Sequence, residues 1–446
     1  MARMFGTDGV RGIANTELTC EMAYALGRAG AQVLTRGTHK PRILIGRDTR
    51  VSGDMLECAL VAGILSTGAV AVTAGVIPTP GIAYLTQKLQ MDAGVVISAS
   101  HNPVAYNGIK FFDQNGRKLP DAVEDAIEAH IKTPQAQCVG GAEVGYREVL
   151  TGAEAMYESF LRNQSRQPLD GLTIAMDCAN GASAAIAPQL FSKLGAMVHA
   201  IHHTPDGLNI NERCGSTHPQ DLQALVRETG ADIGLAFDGD ADRLIACDDA
   251  GELVDGDVVM GLLALSMKQR GELKDDTLVV TVMSNLGLEL SLKEHGIRLV
   301  KTDVGDRYVL EEMLRGGYNI GGEQSGHVLL TDLSTAGDGM QTAIALCNVL
   351  LDAQQPLSVL KKQICIYPQV LVGAHVKPEN KHAYQQDAAI CDMIAELETA
   401  YAGNGRVLIR PSGTEHLIRV MMEGPDQQLM EQQAHALARL MEERLG

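Results

Sequence analysis

Apolar and polar positions repeat in one order at three places along the chain. Each repeat has a short aliphatic strand, a polar loop, a helix-length segment, a glycine and a second short strand. The strand segments are too short for helices, and the glycine can end the helix before it. The paired strand segments are 43–45 with 70–72, 173–176 with 197–201, and 278–282 with 298–301. Strands joined through a helix form parallel crossovers, so we predict three similar mixed α/β domains in series.

The rest of the chain supplies the predicted boundaries. Thr151 and Glu154 have the spacing of a capping box at the start of a helix. From about Gln369 the pattern changes to short strands and a terminal helix, which predicts a smaller α+β domain. One face of that helix is predicted to carry Leu429, Ala434, Leu437, Met441 and Leu445. The predicted domains are 1–150, 151–252, 253–368 and 369–446, arranged around one central cleft.

Composition and charge exclude several classes of protein. The 446 residues carry a net charge of −18, which argues against a basic face that would bind nucleic-acid phosphates. With six Phe, ten Tyr and no Trp, the chain also has few aromatic side chains on which bases could stack. The longest apolar run, 258–267, is too short for a membrane helix, and the first residues lack the apolar core of a secretory signal. We therefore expect a cytoplasmic protein without membrane partners. None of the nine cysteines has C-x-x-C spacing, so zinc and thioredoxin-type sites are not predicted.

An alternation of carboxylates predicts a cation site. Asp238, Asp240 and Asp242 follow an apolar strand segment, and carboxylates that converge there repel each other unless a cation neutralises them. An EF-hand does not fit, because its sixth and twelfth positions would be Arg243 and Asp249. Oxygen ligands without His or Cys favour a hard cation, Mg²⁺ first. The alternative is a solvated acidic turn.

Three further loops carry candidate chemistry. Another strand segment is followed by Ser98, Ser100 and His101, which can supply a nucleophile and its partner. The spacing does not choose between the two serines. The alternative is an ordinary turn that ends at a proline. The segment 321–327 offers Glu323, Ser325 and His327 to sugar hydroxyls, or is a flexible surface loop. The third loop combines small residues, hydroxyl groups and arginines, which is typical of a phosphate-binding loop. The alternative is an ordinary turn. Its residues are Arg410, Ser412, Gly413, Thr414 and Arg419.

These four loops fall one to each predicted domain. A single cleft lined by all of them would hold a nucleophile, a metal, a hydroxyl-binding loop and a phosphate anchor. That combination is what phosphoryl transfer on a sugar phosphate requires.

The chain resembles the α-D-phosphohexomutase superfamily over essentially its whole length and in the order of its motifs. It is most similar to the branch that interconverts glucosamine 6-phosphate and glucosamine 1-phosphate for the synthesis of UDP-N-acetylglucosamine, a peptidoglycan precursor. The segments that favour this branch are 97–100, 207–211, 214–219 and 322–326. The resemblance implies an isomerase that binds one Mg²⁺ and an amino-sugar phosphate.

The resemblance also implies roles for individual residues. Ser100, rather than Ser98, is implied as the phosphoserine, which holds the metal together with Asp238, Asp240 and Asp242. Implied catalytic residues, including two acid/base candidates and two arginines near the phosphoserine, are His101, Lys110, Arg11, Arg243 and His327. The implied substrate-binding residues are Glu323, Ser325, Arg410, Ser412, Gly413, Thr414 and Arg419. His416 departs from the family, which usually has proline there.

The implied reaction has two phosphoryl transfers. Phospho-Ser100 gives its phosphoryl group to O1, the resulting glucosamine 1,6-bisphosphate reorients, and Ser100 recovers a phosphoryl group from O6. The same bisphosphate acts as activator, a kinase or autophosphorylation first loads the serine, and a homodimer is a candidate assembly. Reorientation predicts a mobile fourth domain.

Three alternatives are weighed against this interpretation. A phosphoglucomutase or phosphomannomutase of the same superfamily would share the chemistry but differ in sugar. A Mg²⁺-dependent phosphatase of the haloacid dehalogenase type would release free phosphate. A non-catalytic sugar-phosphate sensor is disfavoured by the complete set of Ser, Asp and Arg residues.

Overall fold

A computed structural model describes residues 3–6, 8–35, 40–132, 139–412 and 417–446. The chain divides into two compact units, one of residues 1–283 with 297–363 and the other of residues 284–296 with 364–446. Within the described ranges no single helix is long and apolar enough to cross a membrane, although the bent pair Gly339–Ala353 and Leu357–Gln363 together passes by length and composition.

The first sheet of the larger unit has six strands in the order β1-β5-β4-β2-β3-β6. These strands are β1 Val10–Ile13, β2 Arg42–Arg47, β3 Val70–Val76, β4 Ala93–Ile97, β5 Tyr106–Asp113 and β6 Arg147–Val149. Its helices are α1 Cys20–Leu34, α2 Ser52–Leu65, α3 Thr79–Lys88 and α4 Asp121–Lys132. β2 pairs in parallel with β3 and β4, and β5 returns antiparallel to β4. The parallel strands β2 and β4 therefore end on the same edge, where the loops after Arg47 and Ile97 come together.

The second sheet has five strands in the order β11-β10-β9-β7-β8. They are β7 Thr173–Asp177, β8 Met197–Ile201, β9 Ile233–Phe237, β10 Leu244–Cys247 and β11 Leu253–Val254, with helices α5 Ala153–Arg162, α6 Ala187–Lys193 and α7 Gln220–Thr229. β7 lies parallel to both β8 and β9. Every residue of β9 is buried, which matches its continuous apolar run and leads directly into Asp238.

The third sheet has the order β13-β12-β14-β15. Its strands are β12 Thr277–Thr281, β13 Arg298–Thr302, β14 Ile320–Gly322 and β15 Val328–Leu330. The helices of this part of the chain are α8 Gly256–Gln269, α9 Leu286–Glu294, α10 Asp306–Gly316, α11 Gly339–Ala353 and α12 Leu357–Leu360. β12 pairs in parallel with β13. All three predicted strand pairs are thus parallel pairs in the structure, and the predicted class of three mixed α/β sheets is confirmed.

The smaller unit contains the C-terminal sheet, whose strand order is β16-β18-β17 with antiparallel pairing. Its elements are β16 Gln369–His375, β17 Arg406–Pro411, β18 Leu417–Glu423, α13 Ala388–Tyr401 and α14 Gln427–Leu445, and α9 belongs to the same unit. Residues from the sheet and from both C-terminal helices form one apolar core, including Ile390, Val420 and Leu437. Among the described residues, short 3₁₀ helices lie at 141–143, 215–217, 274–276, 361–363, 378–380 and 383–385.

Two local predictions are wrong. α5 begins after Gly152, which has a left-handed φ of 78° and provides no side-chain cap, so Thr151 and Glu154 form no capping box. In α14 the buried side chain of the first turn belongs to Met430, while Leu429 is 45% exposed. Successive helical residues are rotated by about 100°, so Met430 lies in line with Ala434 and Leu437 and Leu429 does not.

Asp338 is the N-cap residue of α11, and we expect its removal to destabilise the protein. Its side chain accepts hydrogen bonds from the N–H groups of Met340 and Gln341, both at 3.0 Å, and from the hydroxyl of Tyr157 at 2.6 Å. Both side chains of the Tyr157–Asp338 pair are fully buried. We expect Asp338→Ala to lower the free energy of unfolding by about 2–3 kcal/mol, because it removes an N-cap and leaves the buried hydroxyl without its acceptor.

Urea unfolding followed by circular dichroism measures this effect. The matched variant Tyr157→Phe removes one hydrogen bond and keeps the cap, so it should cost about 1 kcal/mol. Equal losses in the two variants would contradict the assignment of most of the effect to the cap.

Candidate active site

Ser100 lies in a tightly held turn after β4. Its φ is +51° and its side chain is almost completely buried. The hydroxyl donates to Asp238 Oδ2 at 2.5 Å, and His101 Nδ1 lies 3.3 Å from Ser100 Oγ. The hydroxyl of Ser98 instead donates to Asp48 Oδ2 at 2.6 Å and accepts the backbone N–H of Ser100 at 2.9 Å. Of the two serines, Ser100 points toward the carboxylates and Ser98 supports the turn.

A buried arginine organises this turn. Arg50 is fully buried and forms an ion pair with Asp48, with Nε 2.8 Å from Oδ2. Its remaining N–H groups donate to the carbonyl oxygens of Ser100, Asn102, Pro103 and Tyr106 at 2.6–3.0 Å. One guanidinium therefore holds four carbonyl groups of the serine loop, which compensates for the left-handed φ of Ser100.

Asn211 connects the second sheet to the same loop. Its Nδ2 donates to the carbonyl oxygen of Ser100 at 2.8 Å and to that of Asn102 at 3.1 Å. Gly239 is equally close, because a Cβ there would lie 2.6 Å from the Ser100 oxygen. The backbone of the carboxylate loop therefore packs directly on the backbone of the serine loop, and only glycine fits at this contact.

The three carboxylates converge as the sequence predicts. Asp238, Asp240 and Asp242 are buried, and one oxygen of each lies within 4.8 Å of the others. In the described part of the chain, Oδ1 of Asp240 and Oδ1 of Asp242 have no hydrogen-bond partner. Burial and the charges of Asp242 and Asp240 raise the pKa of Asp238 well above its usual range. Oxygen-only ligands, orphaned lone pairs and mutual repulsion fit a hard divalent cation.

Lysines neutralise part of this charge. Lys110 Nζ lies 2.8 Å from Asp240 Oδ2 and 3.0 Å from Asp8 Oδ2, and it is buried. Burial alone would lower the pKa of Lys110, but Asp240 and Asp8 hold it above its ordinary value. Lys118 bridges Asp8 and Asp306 at 2.6 and 2.7 Å. Lys110 is therefore a fixed positive charge beside the carboxylates.

His327 lies between two carboxylates at the end of the segment predicted to contact sugar. Its Nε2 is 3.2 Å from Asp306 Oδ2 and its Nδ1 is 3.7 Å from Asp242 Oδ2. Burial would lower the pKa of His327, but Asp306 and Asp242 raise it to about 10. Glu323 accepts the N–H of Gly305 at 3.1 Å, and Ser325 Oγ lies 3.5 Å from the second Glu323 oxygen. The polar side chains of this segment are thus oriented by neighbours within the larger unit.

Arg11, Arg243 and His101 complete the surroundings of Ser100. Arg11 forms an ion pair with Asp8, while its Nε and that of Arg243 are buried and have no hydrogen-bond acceptor among the described residues. Burial, followed by the positive charges of Arg243 and Arg11, lowers the pKa of His101 to about 4. His101 is therefore neutral near pH 7, and the two guanidinium groups retain N–H donors for an anion.

The phosphate-loop candidates belong to the smaller unit. Arg410 and Arg419 lie directly opposite each other on the antiparallel strands β17 and β18. Residues opposite each other on neighbouring strands lie on the same face of the sheet, so both guanidinium groups can contact one anion. Ser412 is buried beside β17, and Gly413, Thr414 and His416 lie outside the described residues.

The sequence analysis did not single out several residues that contact the candidate site residues. These contacts join residues far apart in the chain and involve Asp8, Asp48, Arg50, Asn211 and Asp306. The turn-like segments around Asp8, Asp48 and Asp306 are rich in Asp and Arg, but such segments are more often solvated loops. Burial of a complete ion pair, as in Asp48–Arg50, becomes visible only in the fold.

Comparison with known families agrees with this architecture. Family models described as phosphoglucomutase/phosphomannomutase match all four parts of the chain: alpha/beta/alpha domain I at 2–137, domain II at 154–251, domain III at 255–366 and the C-terminal domain at 374–440. The fold and the four matched parts define the class as phosphohexomutases. This confirms the superfamily that the sequence motifs indicate.

A relative narrows the class. The phosphoglucosamine mutase of Thermoanaerobacter sp. (strain X514) is 56% identical over 447 residues and covers 100% of both chains. The chain therefore belongs to the phosphoglucosamine mutase family and is an isomerase of the phosphomutase type.

Solved structures share the fold at lower identity. A phosphoglucomutase/phosphomannomutase family protein of Burkholderia thailandensis has a TM-score of 0.83 at 22% identity and covers 100% of this chain and 98% of its own. The N-acetylphosphoglucosamine mutase of Aspergillus fumigatus, solved with GlcNAc-6P and magnesium, has a TM-score of 0.69 at 16% identity and covers 99% and 95%.

Proposed function

We propose that the protein interconverts glucosamine 6-phosphate and glucosamine 1-phosphate through a phosphorylated Ser100. The observation that carries this proposal is the contact between Ser100 Oγ and Asp238 Oδ2 at 2.5 Å, inside a buried carboxylate cluster. A hydroxyl held there can carry a phosphoryl group whose charge a cation would balance. The family of relatives named phosphoglucosamine mutase supports the choice of sugar.

The carboxylates fit Mg²⁺, which would be held by Asp238, Asp240, Asp242 and the phosphate on Ser100. When bound, Mg²⁺ supplies positive charge that stabilises the transferring phosphoryl group. Lys110 adds a second fixed charge, because Asp240 and Asp8 anchor its ammonium group within 3.0 Å. Arg11 and Arg243 have spare N–H donors for the same phosphoryl oxygens. Each such donor is typically worth about 10²–10³ in rate.

Two phosphoryl transfers account for the overall conversion. In the first, the bond between phosphorus and Ser100 Oγ breaks as a bond to the substrate's O1 forms, and the proton of the O1 hydroxyl is passed to Ser100 Oγ, which gives glucosamine 1,6-bisphosphate. In the second, Ser100 Oγ loses its proton and attacks the phosphorus on O6, the bond between O6 and phosphorus breaks, and O6 takes up a proton. Acceptors within reach of the Ser100 proton are Asp238 Oδ2 at 2.5 Å and His101 Nδ1 at 3.3 Å. The bisphosphate reorients between the transfers, because both of its ends must reach Ser100.

Substrate binding is assigned to two loops. Glu323 and Ser325 contact sugar hydroxyls, and His327 keeps a positive charge at the end of this segment. Arg410 and Arg419, with Ser412, Gly413 and Thr414, bind the phosphate that is not being transferred. The paired strands of Arg410 and Arg419 support this role, since two opposed guanidinium groups can bind one phosphate through several charge-assisted bonds.

The cellular context follows from the proposed reaction. Glucosamine 1-phosphate would supply the synthesis of UDP-N-acetylglucosamine in the cytoplasm. Ser100 requires a first phosphoryl group from a kinase, from autophosphorylation or from the 1,6-bisphosphate, which acts as activator.

A competition between sugars tests the proposal. The protein is incubated with Mg²⁺, a trace of glucose 1,6-bisphosphate and equal concentrations of glucosamine, glucose and mannose 6-phosphates, and phosphorus NMR follows each product. We expect glucosamine 1-phosphate to form fastest. Faster conversion of glucose or mannose 6-phosphate would contradict glucosamine 6-phosphate as the preferred substrate. Free phosphate as the main product would indicate a phosphatase.

Asn211 provides a prediction about positioning. Asn211→Asp keeps the shape and tolerates the left-handed φ of 56°, but it replaces the N–H donor that holds the Ser100 carbonyl by a negative oxygen. We expect kcat to fall by about 10–100-fold with little change in KM, because the reacting oxygen is displaced while the sugar contacts remain. Steady-state kinetics measure this split.

Asn209→Asp is the matched control for the added charge. Asn209 lies two residues away in the same segment, and its amide donates to Thr204 rather than to the serine loop. Equal effects of the two substitutions on kcat would show that charge, and not the Asn211 contact, is responsible.

A further inference from the structure

A second cluster of potential ligands lies at the carboxyl end of the second sheet. Asp177 is the last residue of β7, and His202 directly follows β8, the parallel neighbour of β7. Cys214 precedes the 3₁₀ turn 215–217 and is fully buried. One ligand atom of each residue lies within 4.8 Å of the other two. The fold thus brings together a carboxylate, an imidazole and a thiol from residues that are separated by 12 or more positions in the sequence.

The imidazole of His202 is oriented as a ligand would be. Its Nδ1 lies 3.0 Å from Asp177 Oδ2, which pairs the imidazole with this carboxylate. On the other side of the ring, Nε2 is 3.4 Å from Asp221 Oδ2. Histidine ligands of metals commonly have such a carboxylate on the second nitrogen, which fixes the tautomer.

Backbone contacts position the other two ligands. Asp177 accepts the N–H groups of Ala179 and Gly215, both at 2.8 Å, so each carboxylate oxygen is held in place and still has a lone pair. Gly215 has a φ of 72°, and a Cβ there would lie 2.6 Å from both Ala179 Cβ and the Phe237 carbonyl. This close packing keeps Cys214 next to Asp177.

We propose that Asp177, His202 and Cys214 form a second metal site, separate from the Asp238–Asp240–Asp242 cluster, that binds Zn²⁺ or a chemically similar divalent cation. Sulfur, nitrogen and oxygen ligands together suit Zn²⁺, whereas the oxygen-only cluster suits Mg²⁺. Three protein ligands leave a fourth position for water. The His202 side chain is 26% exposed and gives the ion a route from solvent.

Binding changes one covalent bond at Cys214 and no oxidation state. On binding, the S–H bond is lost, a sulfur–metal bond forms and the proton passes to solvent. The sequence analysis predicted no zinc site because no cysteines have C-x-x-C spacing, whereas the ligands proposed here come from three separate segments.

Cobalt binding tests the site, because Co²⁺ ligated by a thiolate gives a near-ultraviolet charge-transfer band that oxygen ligands do not give. The reduced, EDTA-treated full chain is titrated with Co²⁺ in the presence of excess Mg²⁺, which occupies the carboxylate cluster. We expect one Co²⁺ per chain with the thiolate band, and loss of the band when one equivalent of Zn²⁺ is added. Absence of the band in the wild-type protein would overturn the proposal.

Variants identify the ligands. Cys214→Ser should abolish the band, and His202→Asn, which suits the left-handed φ of 46°, should weaken Co²⁺ binding by at least about 10-fold. Cys247→Ser, at another buried cysteine of the same sheet, should leave the band and the affinity unchanged. A band that persists in Cys214→Ser with wild-type affinity, or His202→Asn with unaltered binding, would overturn the assignment. These readouts are independent of mutase activity.

Discussion

Ser100→Ala is expected to reduce turnover by about 10⁴-fold or more while the protein stays folded. The hydroxyl is the proposed carrier of the phosphoryl group, and no other serine donates to the carboxylate cluster within the described residues. Ser98 cannot replace it, because its hydroxyl is bound to Asp48 and to the backbone N–H of Ser100. The side chain of alanine fits the space, although its left-handed φ adds strain of about 1–2 kcal/mol.

Two measurements check this expectation. Incubation with labelled glucose 1,6-bisphosphate and digestion should place the label on the Ser100 peptide of the wild-type protein and nowhere in Ser100→Ala. Ser192→Ala, at an exposed serine of α6, should keep both labelling and turnover. Substantial turnover in Ser100→Ala would refute the phosphoserine role.

Asp238→Asn is expected to lower kcat by about 10²–10³-fold and to raise the Mg²⁺ concentration needed for half-maximal activity. Asp238 contacts Ser100 Oγ and lies in the cluster whose repulsion a divalent cation relieves. The substitution removes one negative charge and one oxygen ligand while it preserves the shape of the side chain. It should also reduce the repulsion on the other two carboxylates, so the metal-free protein should be no less stable than wild type.

Activity titrations with Mg²⁺ separate the two effects. Asp275→Asn is the matched control, since Asp275 is exposed, remote in sequence from the cluster and has a φ of 51° that asparagine accommodates. An unchanged Mg²⁺ dependence in Asp238→Asn would place the cation elsewhere.

The strand pairs show what the sequence can predict. β2, β7 and β12 are runs of aliphatic residues that end in polar loops, and this pattern depends only on local burial. For the same reason the position of the Asp238 cluster at the end of β9 follows from the sequence. The phosphohexomutase class follows from motif order, which is also a property of the linear chain.

Long-range contacts explain what the sequence does not predict. The sequence around Arg50 is typical of a solvated loop. Only the fold shows that Arg50 is buried and donates to four carbonyl groups of the serine loop. Asn211 acts across 111 positions of sequence. Spacing alone does not choose between Ser98 and Ser100, which the sequence analysis separated only by family resemblance; the fold shows that the two hydroxyls donate to different carboxylates. The capping box at Thr151 was wrong because the helix begins one residue later, with Gly152 at the N-cap. The prediction for Leu429 was wrong because Leu429 lies about 100° around the helix from the buried Met430.

Transfer of label from the serine to the sugar tests the central claim most directly. The protein is loaded with radioactive phosphate on Ser100, freed of small molecules and mixed with unlabelled glucosamine 6-phosphate and Mg²⁺. A phosphoserine mutase predicts label at position 1 of glucosamine 1,6-bisphosphate and then of glucosamine 1-phosphate. Label released as inorganic phosphate, or label that stays on the protein while glucosamine 1-phosphate accumulates, would contradict it.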